Sequence, residues 1–289
     1  MDAGDLLQRV RRVEIKTRAL TQGVFAGEYH SAFKGRGMSF AEVREYEPGD
    51  DVRDVDWNVT ARLDRPFIKV FEEERELTVM LVLDVSKSLA FGSRQRTSRE
   101  LLAEIAATLA FSAVRAGDKV GALFFSDRIE KFIPPAKGRE HVLCIVRELL
   151  GLEAAGKRTD VGQAIEYLTR LVKRRCIAFV MSDFIDDNDY TQALSIAARK
   201  HDVVAVKIYD ERMKELPSVG LMRVEDAETG HEMYLDTSSA KVRARYAAAW
   251  NEQQRRLGIM LKKCGVDAVD VRTDGDYVKP LLNLFRRRI

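Results

Sequence analysis

From residue 77 onward, short apolar runs alternate along the chain with longer segments that have the periodicity of amphipathic helices. The predicted strands cover residues 77–83, 119–125, 176–181 and 203–209, and the runs at 79–83 and 176–181 are apolar throughout. Continuous apolar runs of this length are typical of strands that are buried on both faces. Because parallel strands need helical crossovers between them, this succession predicts a doubly wound, mostly parallel α/β sheet with helices on both faces.

Shorter signals place the remaining elements around this sheet. Residues 126–128 form a turn signal before residues 129–133, which predicts an antiparallel strand at the sheet edge. Thr97 and Glu100 have the spacing of a capping box and predict the start of a helix. Further patterns predict a hairpin at 220–236, a long helix at 238–264, a strand at 266–271 and a terminal helix at 280–288.

The first 76 residues differ in character from the rest. Leu6, Val10 and Val13 have helical spacing and predict an amphipathic first helix. Residues 27–76 contain glycines and prolines among alternating charged and apolar residues, which indicates short strands and turns rather than helix. The sequence therefore predicts an N-terminal helix and β extension at residues 1–76, followed by an α/β domain at residues 77–289.

A dense set of charged residues surrounds Trp57 in the extension. Its members are Arg44, Asp50, Asp51, Arg53, Asp54, Asp56 and Arg62. Two interpretations fit this set. It forms either a docking face for a partner or a network of ion pairs and hydrogen bonds that pins the extension to the core. We favour the network, because structural pairing is the more common role of such residues.

The composition argues against several classes of protein. The 289 residues carry 48 basic and 45 acidic side chains, and a net charge of +3 gives no support to nucleic acid or an anionic membrane as the main partner. The three cysteines have neither metal-ligand nor redox spacing, so we expect them to be reduced. The sequence shows neither the apolar core of a signal peptide nor the ~20-residue apolar run of a membrane helix. We therefore expect a soluble, cytoplasmic protein.

Polar side chains follow two of the predicted strands and precede one of the predicted helices. Asp84, Ser86 and Ser88 follow the first core strand, Asp183 follows the strand at 176–181, and Thr159 stands where a helix N-cap belongs. If the two strands are neighbours, these side chains meet at the carboxyl edge of the sheet, where ligands bind in such folds. Two carboxylates and three hydroxyls suit Mg²⁺, Mn²⁺ or Ca²⁺. With only two acids, the metal stays electrophilic, and an acidic side chain of a partner can complete its shell.

These five residues resemble the metal-ion-dependent adhesion site of von Willebrand A domains. The resemblance implies that Ser86 and Ser88 are direct ligands and that Thr159 is a ligand in some states. It implies that the two aspartates act through water. Many von Willebrand A domains have glycine after the last aspartate, whereas this chain has Phe184.

Longer motifs carry a second and more specific resemblance. They are FKGRGMSF at 33–40, VREYEPGDDV at 43–52, DW at 56–57, AR at 61–62, SDF at 182–184 and EDAETG at 225–230. They resemble the family labelled domain of unknown function 58 over nearly the whole chain. The resemblance implies a bacterial von Willebrand A-like protein, often encoded beside a MoxR-type AAA+ ATPase, with a chaperone-like role. We expect a protein partner, the ATPase or its client, to supply the acidic residue.

An enzymatic function is the main alternative. A metal-dependent phosphoesterase or nuclease would use Asp84, Asp183 and Asp186, but two-metal hydrolysis needs several carboxylates around ions ~4 Å apart. A haloacid-type phosphatase would also need an aspartate where Ser86 stands. A dinucleotide site is disfavoured because no Gly-x-Gly-x-x-Gly motif follows the first core strand. We interpret the acids after Asp183 as a solvated loop rather than a second metal site, and we expect a binding module, not an enzyme.

Overall fold

A six-stranded sheet forms the centre of the molecule. The computed structural model describes residues 3–21, 24–34, 38–73, 76–90, 96–156, 158–186, 188–225 and 231–289. The strands of the sheet are β3 (Thr78–Asp84), β4 (Lys119–Phe125), β5 (Ile129–Ala136), β6 (Ile177–Ser182), β7 (Asp202–Tyr209) and β10 (Asp267–Arg272). Their order is β10-β7-β6-β3-β4-β5, and all neighbours are parallel except β4 and β5. The predicted doubly wound, mostly parallel sheet with one antiparallel edge strand is confirmed.

Helices cover both faces of this sheet. They are α1 (Ala3–Thr21), α2 (Val24–Lys34), α4 (Ser98–Arg115), α5 (Arg139–Gly151), α6 (Val161–Leu171), α7 (Thr191–Lys200), α8 (Ala240–Lys263) and α9 (Val278–Arg286). Side chains alternate along β3, so Val79 and Leu81 share a core with α1, α2, α4, α5 and α9. Met80 and Val82 share the opposite core with α6, α7 and α8. In the ranges described above, no helix combines the length and the apolar character needed to cross a membrane.

The N-terminal part contains more helix than its sequence predicts. The amphipathic first helix is confirmed as α1. Residues 24–34, however, form α2, because Phe25, Tyr29 and Phe33 recur every four residues and share one helical face. The rings of this face pack edge-on against Phe285 of α9, with centroids 5.3 to 6.0 Å apart. The prediction of strands and turns is wrong for this segment, because aromatic packing overrides the local pattern.

Residues 38–73 form a separate substructure, which we name the N-terminal hairpin. Its elements are β1 (Met38–Glu45), a 3-10 turn (Val52–Asp54), helix α3 (Trp57–Leu63) and β2 (Phe67–Glu73). β1 and β2 pair antiparallel, which confirms the predicted short strands, whereas α3 replaces a predicted strand or turn. The carboxylate of Asp56 starts α3 by accepting hydrogen bonds from the amides of Asn58 at 2.9 Å and Val59 at 3.3 Å.

Several members of the charged set around Trp57 pair within the N-terminal hairpin. Arg44 donates two hydrogen bonds to the carboxylate of Asp50, at 2.9 and 2.7 Å. The Arg53 guanidinium lies 2.8 Å from the carboxylate of Asp51. Both pairs join residues of the hairpin and therefore stabilise the hairpin itself. They do not attach the extension to the core, although the sequence predicts that role.

A second hairpin precedes α8. β8 (Leu221–Glu225) and β9 (Glu232–Asp236) pair antiparallel, as predicted, and the predicted turn at 226–230 lies outside the described residues. The predicted long helix, last strand and terminal helix are confirmed as α8, β10 and α9, with ends that differ by one or two residues.

Candidate metal centre

Three polar segments lie at the carboxyl edge of the sheet, and we number them in chain order. The first (84–88) follows β3, the second (159–160) precedes α6, and the third (182–186) follows β6. β3 pairs with β6 on one side and with β4 on the other, so the two strands are neighbours as the sequence-based hypothesis requires. The side chain of Ser182 donates a hydrogen bond of 2.5 Å to Asp84 Oδ2 and joins the first segment to the third. Asp186 Oδ2 accepts a hydrogen bond of 2.8 Å from the amide of Val161 and joins the third segment to the second.

Asp84, the acid of the first segment, is completely buried. Its side chain has no exposed surface, and burial raises the pKa of its carboxyl above the ordinary value. Asp84 Oδ1 accepts a hydrogen bond of 2.9 Å from the amide of Ser86, which fixes the turn that follows β3. The hydroxyl oxygens of Ser86 and Ser88 lie 3.0 Å apart, so the turn presents both oxygens side by side.

Thr159 does not cap α6, although its position suggested that role. The cap is Asp160, whose carboxylate accepts a hydrogen bond of 2.7 Å from the amide of Gln163. The Thr159 side chain is only 4 % exposed, and its hydroxyl has no hydrogen-bond partner in the part of the chain that the structure describes. Because an unsatisfied buried hydroxyl costs about 1–3 kcal/mol, this oxygen is available to a ligand.

The third segment turns sharply after β6. Phe184 has a positive φ of 57°, a conformation that glycine adopts more readily, and its amide donates a hydrogen bond of 2.9 Å to the Ser182 hydroxyl. Asp183 is buried, and its Oδ1 accepts a hydrogen bond of 3.0 Å from the amide of Ile185. The turn thus has a backbone shape that glycine adopts readily, with the buried side chain of Phe184 at that position. Asp186 is half-buried and bridges two segments, so it is a structural acid rather than part of a fully solvated loop.

A hydrogen-bonded cluster next to the second segment holds it in place. Glu130 Oε1 accepts hydrogen bonds of 2.6 Å from the Ser126 hydroxyl and 2.8 Å from the amide of Gly156. The carbonyl of Ser126 accepts a further hydrogen bond of 2.9 Å from the amide of Asp160. These bonds tie the loop that carries Thr159 to the end of β4, which fixes the position of its hydroxyl.

Comparison with known proteins identifies the family. The model of the family described as protein of unknown function DUF58 matches residues 42–256. The chain belongs to the DUF58 family. An uncharacterized protein of Mycobacterium bovis is 32% identical over 292 residues, which cover 100% of this chain and 91% of that protein.

Two solved structures are similar to part of this DUF58 chain. The hypothetical protein BatB from Bacteroides thetaiotaomicron is 17% identical with a TM-score of 0.48, over 73% of this chain and 98% of that chain. The von Willebrand A domain of SpRpn10 is 10% identical with a TM-score of 0.39, over 72% of this chain and 94% of that domain. The family assignment rests on the sequence match.

Two interactions at this DUF58 site were not predicted from the sequence. Ser182 orients Asp84 across two strands, although its only sequence signal is its place directly before Asp183. Asp186 links the Asp183 segment to the start of α6. Both interactions join residues far apart in sequence, so their detection requires the strand order.

Replacing Gly156 with alanine is expected to lower the free energy of unfolding by about 1–3 kcal/mol, as overpacking of a closed site does. A Cβ atom at this position would lie well inside contact distance of the side chains of Ser126 and Asp127. Gly258→Ala is the matched control, because a Cβ there meets no atom within 4 Å. Because alanine favours helix more than glycine does, this control is expected to raise the free energy of unfolding by about 0.5–1 kcal/mol in helix α8. Urea denaturation measures both, and a Gly156→Ala variant as stable as wild type would show that the loop is not closely packed.

Proposed function

We propose that this DUF58 protein is a divalent-metal-dependent protein-interaction module that works with a MoxR-type AAA+ ATPase. The observation that carries the proposal is the buried hydroxyl of Thr159, which has no hydrogen-bond partner among the described residues, at an edge that also presents the paired hydroxyls of Ser86 and Ser88. Hydroxyl and carboxylate oxygens are the donors that Mg²⁺, Mn²⁺ and Ca²⁺ prefer. The donor set therefore fits a hard divalent cation.

The proposed ligands divide into two groups by their present hydrogen bonds. Ser86, Ser88 and Thr159 offer hydroxyl oxygens to the ion directly. Asp84 and Asp183 already accept hydrogen bonds from neighbouring amides, which orients their carboxylates toward the same edge. When bound, the ion supplies a Lewis-acidic position for a carboxylate of a partner, since only two acids of this chain offset its charge.

Hydrolysis by a two-metal mechanism has weaker support from these residues. The described residues contain no group of three or more His, Cys, Asp or Glu side chains that could hold a metal ion. Asp186, the third acid that such an enzyme would use, is engaged by the amides of Val161 and Asn188, each at 2.8 Å. Two-metal hydrolysis needs bridging carboxylates that are free to bind. We therefore favour an interaction module over a phosphoesterase or nuclease.

The ATPase partnership predicts a metal-dependent affinity. The full chain is immobilised, and binding of the nucleotide-free MoxR-type ATPase from the same genome is measured in Mg²⁺ and in excess chelator. We expect Kd to rise at least about tenfold in chelator, and equally for Ser86→Ala in Mg²⁺, because a lost ligand or metal removes the bridge to the partner's carboxylate. Ser195→Ala, a change on α7, is the control and should bind like wild type. Affinity that is unchanged in chelator would contradict the metal bridge, and no binding in Mg²⁺ would remove the ATPase as partner.

A further inference from the structure

The loop between α5 and α6 is anchored at both of its ends. We name this loop, residues 152–160, the Thr159 loop. At its start, the carbonyl of Leu152 accepts a hydrogen bond from the guanidinium of Arg99 on α4. Just beyond its end, the amide of Val161 donates a hydrogen bond of 2.8 Å to Asp186 Oδ2. The position of the Thr159 hydroxyl therefore depends on what holds the residues between these two anchors.

Glu130, a half-buried residue of β5, connects the middle of the Thr159 loop to the end of β4. Its Oε1 accepts hydrogen bonds from the Ser126 hydroxyl at 2.6 Å and from the Gly156 amide at 2.8 Å. Gly156 lies so close to β4 that a Cβ atom there would be 2.9 Å from the Cβ of Ser126. One carboxylate oxygen thus holds a strand end and the loop together at a point of close approach.

The end of β4 also holds the turn that carries the two serines. The carbonyl of Phe125 accepts a hydrogen bond of 2.8 Å from the amide of Val85 in the first segment. The carbonyl of the next residue, Ser126, accepts a hydrogen bond of 2.9 Å from the amide of Asp160 in the Thr159 loop. Two consecutive carbonyls therefore attach the first and second segments of the candidate metal centre to the same strand end.

The Thr159 hydroxyl is buried in this frame with no hydrogen-bond partner among the described residues, and its side chain is only 4 % exposed. A buried hydroxyl without a partner is unfavourable, so a loop free to move would turn it toward water or a carbonyl. The contacts of the Thr159 loop oppose that movement. Ligands are held in a productive geometry by hydrogen bonds of residues that do not themselves bind the ion.

We propose that Glu130 is a positioning residue of the metal centre. Through Gly156 and Ser126 it holds the Thr159 loop, so that the Thr159 hydroxyl is in place before the ion binds. The ion then binds without the cost of ordering the loop, which raises its affinity. This inference rests on the proposed metal-binding function and assigns a role to a residue outside the five proposed ligands.

Calorimetric titration of the full chain with Mn²⁺ tests this role. Glu130→Ala removes the shared acceptor and is expected to raise Kd about 10- to 100-fold, as loss of a supporting residue does. Glu130→Gln keeps an oxygen that can accept both hydrogen bonds and should stay within about threefold of wild type. Ser126→Ala removes one of the two donors, so we expect a smaller rise in Kd than for Glu130→Ala. Lys131→Ala is the matched control on the same strand, because it breaks an ion pair of 2.7 Å with Glu148 of α5, and it should bind Mn²⁺ like wild type.

Hydrogen exchange separates positioning of the loop from general stability. The amides of Gly156 and Asp160 both donate hydrogen bonds, so they should exchange slowly in metal-free wild-type protein. In metal-free Glu130→Ala we expect these two amides to exchange at least about tenfold faster, and to slow again in saturating Mn²⁺ because the ion then orders the loop. Lys131→Ala should leave both rates unchanged.

A double variant shows whether Glu130 acts through Thr159. In a Thr159→Ala background, Glu130→Ala should weaken Mn²⁺ binding by less than about twofold, because the ligand that it positions is already gone. An undiminished effect in that background would overturn the positioning role. Wild-type protein that binds Mn²⁺ no more tightly than Glu130→Ala and Ser126→Ala would also overturn it and leave the metal-binding function standing. Absence of Mn²⁺ binding by the wild-type protein would overturn both.

Discussion

Ser86→Ala is expected to abolish stabilisation of the protein by Mg²⁺ and Mn²⁺ without unfolding it. The change removes one of the two hydroxyl oxygens that lie 3.0 Å apart, while the amide of residue 86 still donates to Asp84 Oδ1. A ligand that binds only the folded state stabilises it by about 2.7 kcal/mol at a concentration of 100 Kd. Loss of a direct ligand lowers metal affinity by more than the 10- to 100-fold that loss of a supporting residue costs.

The measurement is thermal unfolding with increasing concentrations of each metal. Wild-type protein should show a melting temperature that rises with metal concentration, and Ser86→Ala should show a constant one. Ser195→Ala should respond like wild type, which separates loss of the site from general effects of serine replacement. A Ser86→Ala protein that keeps the full metal response would place the binding elsewhere in the molecule.

Phe285→Ala is expected to lower the free energy of unfolding by about 3–5 kcal/mol, as large-to-small changes of buried aromatic residues do. The Phe285 side chain has no exposed surface. Its ring lies 5.3 Å from that of Phe25 and 5.6 Å from that of Phe33, between centroids. Phe33 in turn lies 5.6 Å from Phe179 of β6, so the cluster joins α2 and α9 to the sheet.

Urea denaturation measures this loss, and Phe285→Leu is the matched control. Leucine keeps most of the buried volume, so we expect that variant to lose clearly less stability than alanine. A loss below about 1 kcal/mol for Phe285→Ala would mean that α2 and α9 contribute little to the cooperative unit. Metal binding by the folded fraction should stay unchanged, because the cluster lies away from the carboxyl edge.

The central sheet was predictable because its strands are buried on both faces. A strand in this position is apolar at nearly every residue, and the runs at 79–83 and 176–181 show that pattern without interruption. The capping box at the start of α4 was predictable for a local reason, since Thr97 and Glu100 bond to each other's amides at 2.9 and 3.1 Å. The position of the candidate site followed from the rule that ligands bind beyond the carboxyl ends of parallel strands.

Features that depend on tertiary contacts were not predictable from local pattern. Helix α2 contains a glycine and aromatic residues of modest helix propensity, and it is stabilised by packing on Phe285 rather than by its own sequence. Asp160 rather than Thr159 caps α6, and the Thr159 side chain is buried instead. The Ser182–Asp84 hydrogen bond spans 98 residues and exists only because β3 and β6 are neighbours.

Calorimetric titration of the full chain with Mn²⁺ and Mg²⁺, beside Ser86→Ala, tests most directly whether these segments form a metal centre. We predict saturable binding of one ion to the wild-type protein and no measurable heat of binding for the variant. The folded state of the variant is checked by circular dichroism. Absence of binding to the wild-type protein, or equal binding to the variant, would contradict the metal centre and leave the N-terminal hairpin as the better candidate for recognition.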